Sequence, residues 1–471
     1  MKKHIHFVGI KGVGMAPLAL IAKQAGCVVT GSDIDKEFIT DAALHKAGIT
    51  PLVGFDAAHI TDPDLVITTG AHGGFDNVEV VSARAKKIPV MTQGEAVGKY
   101  MDGSILGTNW LGISVTGTHG KTTTTAMLAT ILTESKLDPS YIIGTGDVGS
   151  LPAPGHFGKG RHFVVEADEY VTEPRYDKTI KFLWQHPDMA IVTNIEYDHP
   201  DVYQTIDDVR AAFTAFVQQT KLLIACGDDP EVRGVLKQYK GKVITYGFGA
   251  HNDYVLHKVN ISGEQMFFWV EHGGVSLGEF VLKVVGEHNA LNALGATVGA
   301  IEVGVPIQQI KEGLLAFRGS KRRLEFMGEL VSGAKVYDDY AHHPTEIKKT
   351  LAALRKQYPK KKIVCIFQPH TYSRTKLMFT EFTKAFDNLD ELFVIITDIY
   401  ASLREQPDKT VSADHLAGEI KLQGRDVHYL PQLSDVVQYI NTKNYGSDTV
   451  LVTMGAGDVY TIHDSLSFRA E

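Results

Sequence analysis

The stretch Ile113-Ser-Val-Thr-Gly-Thr-His-Gly-Lys-Thr-Thr-Thr-Thr125 decides the fold class of this chain. An apolar strand runs into Gly117-Thr-His-Gly-Lys-Thr122, and the helix-forming residues Ala126-Met-Leu-Ala-Thr-Ile-Leu132 follow. Glycines let the backbone turn its N–H groups toward a phosphate, and the helix N-terminus adds partial positive charge. Val115 stands where the common P-loop pattern has its first glycine. The sequence therefore predicts a shortened P-loop, with a ligand-free Gly/Thr-rich turn as the alternative.

The polar residues of this turn have predicted roles in holding the phosphates of a nucleotide. The Lys121 ammonium can reach the outer phosphates, and the Thr122 hydroxyl can hold Mg²⁺. The residues predicted to form this phosphate site are Gly117, Thr118, His119, Gly120, Lys121, Thr122 and Thr123.

Two later strands end in residues that suit the metal ion of a nucleotide. Glu166 closes the apolar run that begins at Arg161, with Asp168 and Glu169 directly after it. His199 lies in an acidic loop behind the apolar run 188–194. A carboxylate at a strand tip beside a P-loop can hold Mg²⁺, and imidazole can share a cation with it. The alternative is a solvated acidic loop.

The first part of the chain is typical of a Rossmann-like β-α-β unit. A strand over 4–9 leads into Gly9, Gly12 and Gly14, and a helix and a second strand ending at Asp33 follow. The glycine spacing differs from the dinucleotide pattern G-x-G-x-x-G. We interpret the turn as a nucleotide-diphosphate site, with a purely structural turn as the alternative.

Residues 254–284 alternate short apolar runs with glycine turns, which predicts an antiparallel meander. A helix begins near Gly286, and on it Asn289 and Asn292 share a face. Either amide could bind an adenine edge or cap the helix. The segment 317–323 is interpreted as a hinge whose cations, Arg322 and Arg323, can stabilise a transferring phosphoryl group; the alternative is a solvated basic linker.

The last part of the chain predicts another parallel α/β domain. Apolar strands at 334–339, 362–367, 392–397 and 449–454 are followed by loops and helical stretches. Adjacent residues of an extended chain point in opposite directions, so we expect His342 and His343 to make separate contacts rather than hold one metal.

Length and composition indicate the number of domains and argue against nucleic-acid binding and membrane insertion. A chain of 471 residues should hold about three domains, which we place at 1–107, 108–318 and 319–471. The net charge of −8 provides no basic field for nucleic acid. Cys27, Cys226 and Cys365 lie far apart, as expected for free thiols in a cytoplasmic protein. No apolar run reaches membrane-spanning length, and the N-terminus does not have the pattern of a signal peptide, so no membrane insertion is expected.

Seven ordered blocks resemble the Mur ligase family across nearly the whole chain. The blocks are His6-Phe-Val-Gly-Ile-Lys-Gly-Val-Gly-Met15, Gly117-Thr-His-Gly-Lys-Thr-Thr-Thr124, Glu166-Ala-Asp-Glu169, Thr193-Asn-Ile-Glu-Tyr-Asp-His199, His288-Asn-Ala-Leu-Asn292, Asp338-Asp-Tyr-Ala-His-His-Pro-Thr-Glu346 and Phe367-Gln-Pro-His-Thr-Tyr-Ser-Arg-Thr375. The resemblance implies an α/β protein of three domains: a Rossmann-like domain that binds the UDP-sugar, a central P-loop ATPase domain, and a Rossmann-like C-terminal domain that binds the amino acid and closes over ATP.

The resemblance also implies an activity in peptidoglycan precursor synthesis. ATP phosphorylates the lactyl carboxylate of UDP-N-acetylmuramate, and an amine then attacks the acyl phosphate to form an amide. The blocks are most similar to members that use L-alanine as the amine. The stretch 169–182 is more similar to members that add a whole tripeptide in cell-wall recycling, which is the main alternative. A monomer or a homodimer is expected.

The family's functional residues map onto matching positions of this chain. Lys121, Glu166, His199, Arg322 and Arg323 would be catalytic, and Thr122, Glu166 and His199 would hold Mg²⁺ or Mn²⁺. ATP would contact the P-loop residues 117–123 and also Asn289, Asn292, Arg323 and Asp339. The UDP-sugar would contact Gly9, Gly12, Gly14, Ser32, Asp33, His72 and Asn77. The amino acid would contact Tyr340, His342, His370 and Arg374.

The chain departs from the family pattern at several positions. Phe213 occupies the place of a carbamylated lysine that many members carry, although members that add L-alanine or the tripeptide also lack it. Thr371 replaces an arginine found in some L-alanine-adding members, and Gln93-Gly-Glu95 replaces an arginine-glutamate stretch. Two further alternatives are a non-catalytic nucleotide-binding homologue and a dinucleotide-dependent oxidoreductase. The intact Lys121 and Glu166 argue against the first, and the glycine spacing argues against the second.

Overall fold

The computed structural model describes residues 2–108, 110–387, 389–401 and 405–470, and the elements given below are those of this part of the chain. It shows three α/β domains, each built on its own sheet. Among the described residues, no helix combines the length and the apolar character needed to span a bilayer.

The N-terminal domain is a five-stranded parallel sheet with helices against its faces. Its elements are β1 (His4–Val8), α1 (Ala16–Gln24), β2 (Val28–Asp33), α2 (Asp41–Lys46), β3 (Leu52–Val53), β4 (Leu65–Thr68), α3 (Val78–Ala85), β5 (Val90–Thr92) and α4 (Gln93–Met101). The strand order is β3-β2-β1-β4-β5. The strands and helix of the predicted β-α-β unit are confirmed. Because β1 and β2 are parallel neighbours, the loop after β1 lies at the carboxyl edge, where such sheets bind ligands.

The central domain carries a ten-stranded mixed sheet in the order β17-β16-β15-β14-β13-β12-β6-β9-β7-β8. Its strands are β6 (Leu111–Thr116), β7 (Ser140–Ile142), β8 (Gly155–His156), β9 (His162–Glu166), β10 (Val171–Glu173), β11 (Asp177–Ile180), β12 (Met189–Val192), β13 (Leu222–Cys226), β14 (Lys242–Gly247), β15 (Tyr254–Ser262), β16 (Gln265–His272) and β17 (Val275–Leu282). Its helices are α5 (Lys121–Glu134), α6 (Ile206–Val217), α7 (Pro230–Leu236), α8 (Glu287–Glu302) and α9 (Ile307–Ala316). The predicted meander is confirmed as β15–β17, which continues the sheet because β15 pairs with β14. Strands β10 and β11 form a separate hairpin that the sequence patterns did not indicate.

The C-terminal domain is a six-stranded sheet in the order β18-β19-β23-β20-β21-β22. Its elements are β18 (Glu325–Glu329), β19 (Lys335–Asp339), α10 (Pro344–Gln357), β20 (Lys362–Phe367), α11 (Tyr372–Leu377), α12 (Phe379–Thr383), β21 (Leu392–Ile396), α13 (Ala413–Leu422), β22 (Asp426–Tyr429), α14 (Leu433–Lys443) and β23 (Thr449–Met454). The parallel arrangement is confirmed for β19–β23. Strand β18, which directly follows the hinge, is antiparallel.

The two joints between the domains differ in character. The first two domains share one buried apolar cluster, in which Ile5 and Phe7 of β1 belong with Phe163 and Val165 of β9. The buried core of the C-terminal domain consists of its own residues, with Tyr197 of the central domain packed at its margin. Charged contacts between these two domains include the ion pairs Asp198–Arg374 and Glu287–Lys356.

Candidate active site

The predicted P-loop lies between β6 and α5 and is fixed against the segment that follows β12. Gly117 and Gly120 have φ angles of 133° and 85°, which favour glycine. A Cβ atom at Gly117 would lie 2.0 Å from Oγ1 of Thr193. The His119 N–H donates to Oδ1 of Asn194 (2.9 Å), and the Thr193 hydroxyl donates to the His119 carbonyl (2.6 Å). The loop is therefore held in shape by neighbouring side chains.

The Lys121 ammonium is held by a carboxylate in the segment that follows β9. Its Nζ lies 2.9 and 2.7 Å from the two carboxylate oxygens of Glu169 and donates to the Gly117 carbonyl (2.7 Å). Burial opposes the charge of this group, but Glu169 and Asp168 raise the pKa of Lys121 above its ordinary value. Lys121 is therefore cationic at neutral pH. The sequence did not indicate that Glu169 would be its partner.

Two of the predicted metal ligands are in direct contact. The Thr122 hydroxyl donates to Oε2 of Glu166 (3.1 Å), and the other carboxylate oxygen accepts the Gly144 N–H (2.6 Å). Burial raises the pKa of Glu166, against the opposing effects of the Gly144 N–H, Arg323 and Lys121. His199 lines one cavity together with Thr122 and Glu166, and its Nε2 lies 3.7 Å from Oε1 of Glu169. A hydroxyl, a carboxylate and an imidazole fit a divalent cation such as Mg²⁺ or Mn²⁺.

The two hinge arginines point to different places. One Nη atom of Arg323 lies 3.4 Å from the Thr122 hydroxyl, so this guanidinium crosses from the hinge to the P-loop. Arg322 is buried, and its guanidinium donates to Asp338 (2.9 Å) and to the carbonyls of Gly455 and Gly457. This guanidinium therefore ties together loops of the C-terminal domain, and the phosphoryl-stabilising role of Arg322 stays a prediction.

Two adjoining cavities surround the P-loop. The smaller one, of about 290 Å³, lies between the central and C-terminal domains, and the predicted ATP residues on it are His119, Gly120, Thr123, Asn289, Asn292, Arg323 and Asp339. The larger one, of about 570 Å³, lies where all three domains meet. The predicted residues on the larger cavity are Gly9, Gly12, Gly14, His72, Thr118, His119, Gly120, Lys121, Thr122, Glu166, His199, Arg322, Arg323, Tyr340, His342, His370 and Arg374.

The smaller cavity has polar side chains that are partly engaged with one another. Asn289 donates to the Val285 carbonyl (2.8 Å), and Asn292 donates to Oδ1 of Asn289 (3.3 Å). Asp339 accepts the Thr350 hydroxyl (2.7 Å), and burial raises the pKa of Asp339 to about 6. The pair Asn289 and Asn292 therefore lines the cavity as one hydrogen-bonded unit.

Three residues predicted to contact the UDP-sugar do not line the larger cavity. The Ser32 hydroxyl donates to the buried carboxylate of Glu79 (2.5 Å). Asn77 caps α3 and donates to the His72 carbonyl (2.9 Å). Asp33 accepts the N–H groups of Lys11 and Ile34 (2.8 Å each). These side chains shape the loops of the site, whereas the three glycines and His72 face the cavity.

The four residues predicted for the amino acid come together on the larger cavity. Nε and Nη2 of Arg374 donate to one carboxylate oxygen of Asp198 (3.0 and 2.8 Å), and Nη1 donates to His370 (3.2 Å). Nδ1 of His342 donates to the Tyr340 carbonyl (3.0 Å). Burial lowers the pKa of His342 to about 4 and that of His370 to about 2, so both rings are neutral at pH 7. The guanidinium of Arg374, which was predicted to bind a carboxylate of the substrate, is instead paired with Asp198, a residue that the sequence did not single out.

Three family models match successive parts of this chain, and curated relatives match nearly its whole length. The model described as the Mur ligase family catalytic domain matches residues 4–104, the Mur ligase middle domain matches 115–300, and the Mur ligase glutamate ligase domain matches 322–457. The UDP-N-acetylmuramate–L-alanine ligase of Desulfitobacterium hafniense (strain Y51) is 39% identical over 470 residues, covering 99% of this chain and 100% of that protein. The enzyme of the same name from Geobacter sp. (strain M21) is 38% identical over 471 residues, covering 99% and 97%.

Solved structures of ligases superpose on nearly the whole of this chain. The UDP-N-acetylmuramate-alanine ligase of Thermotoga maritima superposes with a TM-score of 0.81 at 30% identity, covering 98% of this chain and 97% of that chain. A murein peptide ligase from Psychrobacter arcticus 273-4 superposes with a TM-score of 0.69 at 25% identity over the same shares. The resemblance predicted from seven sequence blocks is confirmed, and the chain belongs to the Mur ligase family.

Proposed function

We propose that this chain is an ATP-dependent ligase that joins L-alanine to the lactyl carboxylate of UDP-N-acetylmuramate in peptidoglycan precursor synthesis. The observation that carries the proposal is the larger cavity, on which the N-terminal glycines, the P-loop and the C-terminal histidines meet. The full-length identity to L-alanine ligases supports the choice of substrates. We also infer domain boundaries at 107/108 and 318/319, which fall between the three sheets.

The proposed reaction has two steps. An oxygen of the lactyl carboxylate attacks the γ-phosphorus of ATP, and ADP leaves with the electron pair of the broken P–O bond. The ammonium of L-alanine loses one proton to water, and its nitrogen then attacks the acyl carbon. Inorganic phosphate leaves, and the nitrogen loses a second proton to water to give the neutral amide.

Each domain contributes its own residues to these steps. Lys121 and Arg323 stabilise charge on the transferring phosphoryl group from opposite sides of the domain joint. Thr122, Glu166 and His199 would hold Mg²⁺, which supplies further charge neutralisation when bound. Asn289, Asn292 and Asp339 contact the nucleoside of ATP, and Gly9, Gly12 and Gly14 leave room for the UDP pyrophosphate. Tyr340, His342, His370 and Arg374 surround the amine.

The first experiment compares two amines. Phosphate release is measured with ATP, Mg²⁺ and UDP-N-acetylmuramate, adding either L-alanine or the L-Ala-γ-D-Glu-diaminopimelate tripeptide, and product masses are recorded. Turnover with L-alanine is expected. Turnover with the tripeptide alone would instead assign a recycling ligase, the alternative raised by the stretch 169–182. Phosphate release without an amide product would overturn both assignments.

Two further properties belong to the proposal. A cytoplasmic location agrees with the three free cysteines, two of which are buried. A monomer or a homodimer remains our prediction, which sedimentation of the purified chain will test.

A further inference from the structure

The side chain of the P-loop residue His119 joins two domains. Its Nε2 lies 3.3 Å from Oε2 of Glu196, in the segment that follows β12 of the central domain. Its Nδ1 lies 3.1 Å from Oε1 of Glu346, in the first turn of α10 of the C-terminal domain. His119 is only 8% exposed. A single imidazole therefore connects the phosphate-binding loop to a carboxylate on each side of the domain joint.

The groups around this imidazole fix both carboxylates. Oε2 of Glu196 accepts the Thr345 hydroxyl (2.7 Å), which adds a second contact across the joint. Oε2 of Glu346 accepts the N–H groups of His342 (3.1 Å) and His343 (3.2 Å), a favourable position for an anion at a helix N-terminus. The cations that face Glu346 besides His119 include Arg323, at 3.9 Å.

The geometry of this cluster favours ion pairs between His119 and the two carboxylates over a metal site. His119, Glu196 and His343 each place a possible ligand atom within 4.8 Å of the others. However, Nδ1 of His343 already accepts the Thr345 N–H (3.2 Å), and both nitrogens of His119 face carboxylates. Burial opposes the charge of the imidazole, but Glu346 and Glu196 raise the pKa of His119 to about 9. His119 can therefore carry a proton on each ring nitrogen, one facing Glu196 and the other facing Glu346.

From this geometry we infer that Glu196 and Glu346 are positioning residues that hold the P-loop through His119. Glu346 makes this hold depend on the C-terminal domain, because its carboxylate reaches His119 only when that domain is seated on the central one. Phosphoryl transfer is thereby favoured in the seated arrangement, which also brings Arg323 to Thr122. The inference rests on the proposed ligase function and extends it to the control of the loop.

The test removes charge while keeping hydrogen-bond acceptors. In Glu346→Gln the amide oxygen can still accept the N–H groups at the start of α10, and in Glu196→Gln it can still accept the Thr345 hydroxyl. Each variant should lower kcat about tenfold, within the range of coupling energies between contacting residues. KM for ATP should change by less than about threefold, because the nucleotide contacts on the central domain remain in place.

A double-mutant cycle distinguishes positioning from general docking. In a His119→Asn background, Glu346→Gln should have no further effect on kcat, because the group through which it acts is gone. The matched control is Glu287→Gln, which removes another ion pair across the same joint, to Lys356 at 2.5 Å, away from the P-loop. That variant should change kcat by less than about twofold.

Two outcomes would overturn the inference: an equal loss from Glu346→Gln in both backgrounds, or an equal loss in the Glu287→Gln control. If Glu346→Gln fails to fold, Glu196→Gln replaces it in the same cycle. Absence of ligation by the wild-type chain with either amine would defeat the proposed function itself. A fully active wild-type chain with an additive cycle would defeat only the positioning role.

Discussion

Replacing Lys121 by methionine tests the centre of the site, because it removes the ammonium and keeps an unbranched apolar stem. In the structure Nζ lies 2.7 and 2.9 Å from the Glu169 carboxylate, and the side chains are 15% and 3% exposed. Lys121→Met therefore leaves a buried carboxylate without its main partner. Breaking such a pair costs about 3–5 kcal/mol. We expect about 3 kcal/mol, because His199 remains 3.7 Å from Glu169.

A double variant separates stability from catalysis. Lys121→Met/Glu169→Gln removes both charges, so most of the lost stability should return, to within about 1 kcal/mol of the wild type. Ligation should not return, because loss of a charge-stabilising donor lowers kcat at least about 10²–10³-fold.

The assays are urea unfolding and phosphate release with ATP, UDP-N-acetylmuramate and L-alanine. The reasoning is refuted if the double variant is as unstable as Lys121→Met. In that case the lost stability does not come from an unpaired Glu169. Ligation within tenfold of the wild-type rate in either variant would show that Lys121 does not serve phosphoryl transfer.

Three other substitutions test separate parts of the structure. Arg374→Lys removes the planar guanidinium that donates to Asp198 and His370. KM for the amine should therefore rise about tenfold, while KM for ATP changes little. Equal changes of both KM values in initial-rate measurements would show that the amine is bound elsewhere. Phe213→Ala should lower the free energy of unfolding by about 3–5 kcal/mol, because the ring is fully buried against Phe182. It should not lower kcat of the folded enzyme. A lower kcat under conditions in which the variant is fully folded would give Phe213 a role in the reaction. Burial raises the pKa of Glu79, but hydrogen bonds from His6, Ser32 and His59 lower this pKa below its ordinary value overall. The ionised Glu79 therefore stabilises the fold when the pH is above the ordinary pKa of a glutamate. This stabilisation is lost as the pH falls through the lowered pKa of the folded state. Glu79→Gln should therefore flatten the acid side of the stability–pH curve of the N-terminal sheet, and an unchanged curve in hydrogen-exchange measurements would contradict this.

The parts of the fold that could be predicted from the sequence are those with a local pattern. The P-loop, the first β-α-β unit and the meander each depend on neighbouring residues, and all three are present. The separate contacts expected of His342 and His343 are also confirmed, because adjacent residues of an extended chain point in opposite directions.

The contacts that could not be predicted join residues far apart in the chain. Asp198 and Arg374 are 176 positions apart, and His119 and Glu346 come from different domains. The sequence shows a charge at each of these positions, but only the packing of the domains selects its partner. Ser32 and Asn77 illustrate the converse, because polar residues at strand ends can bind a ligand or their own loops, and here both bind their own fold.

The contrast between the two domain joints affects how the molecule can open. Separating the N-terminal domain would divide the apolar cluster to which Phe7 and Phe163 belong and expose apolar surface to water, which is unfavourable in proportion to the apolar area. Separating the C-terminal domain mainly exposes charged groups such as Asp198, Arg374 and Glu346, and hydration compensates for much of the lost attraction between them. Water therefore acts as a competing partner at one joint and not at the other. We therefore expect the molecule to open most readily between the central and C-terminal domains, where the smaller of the two cavities lies.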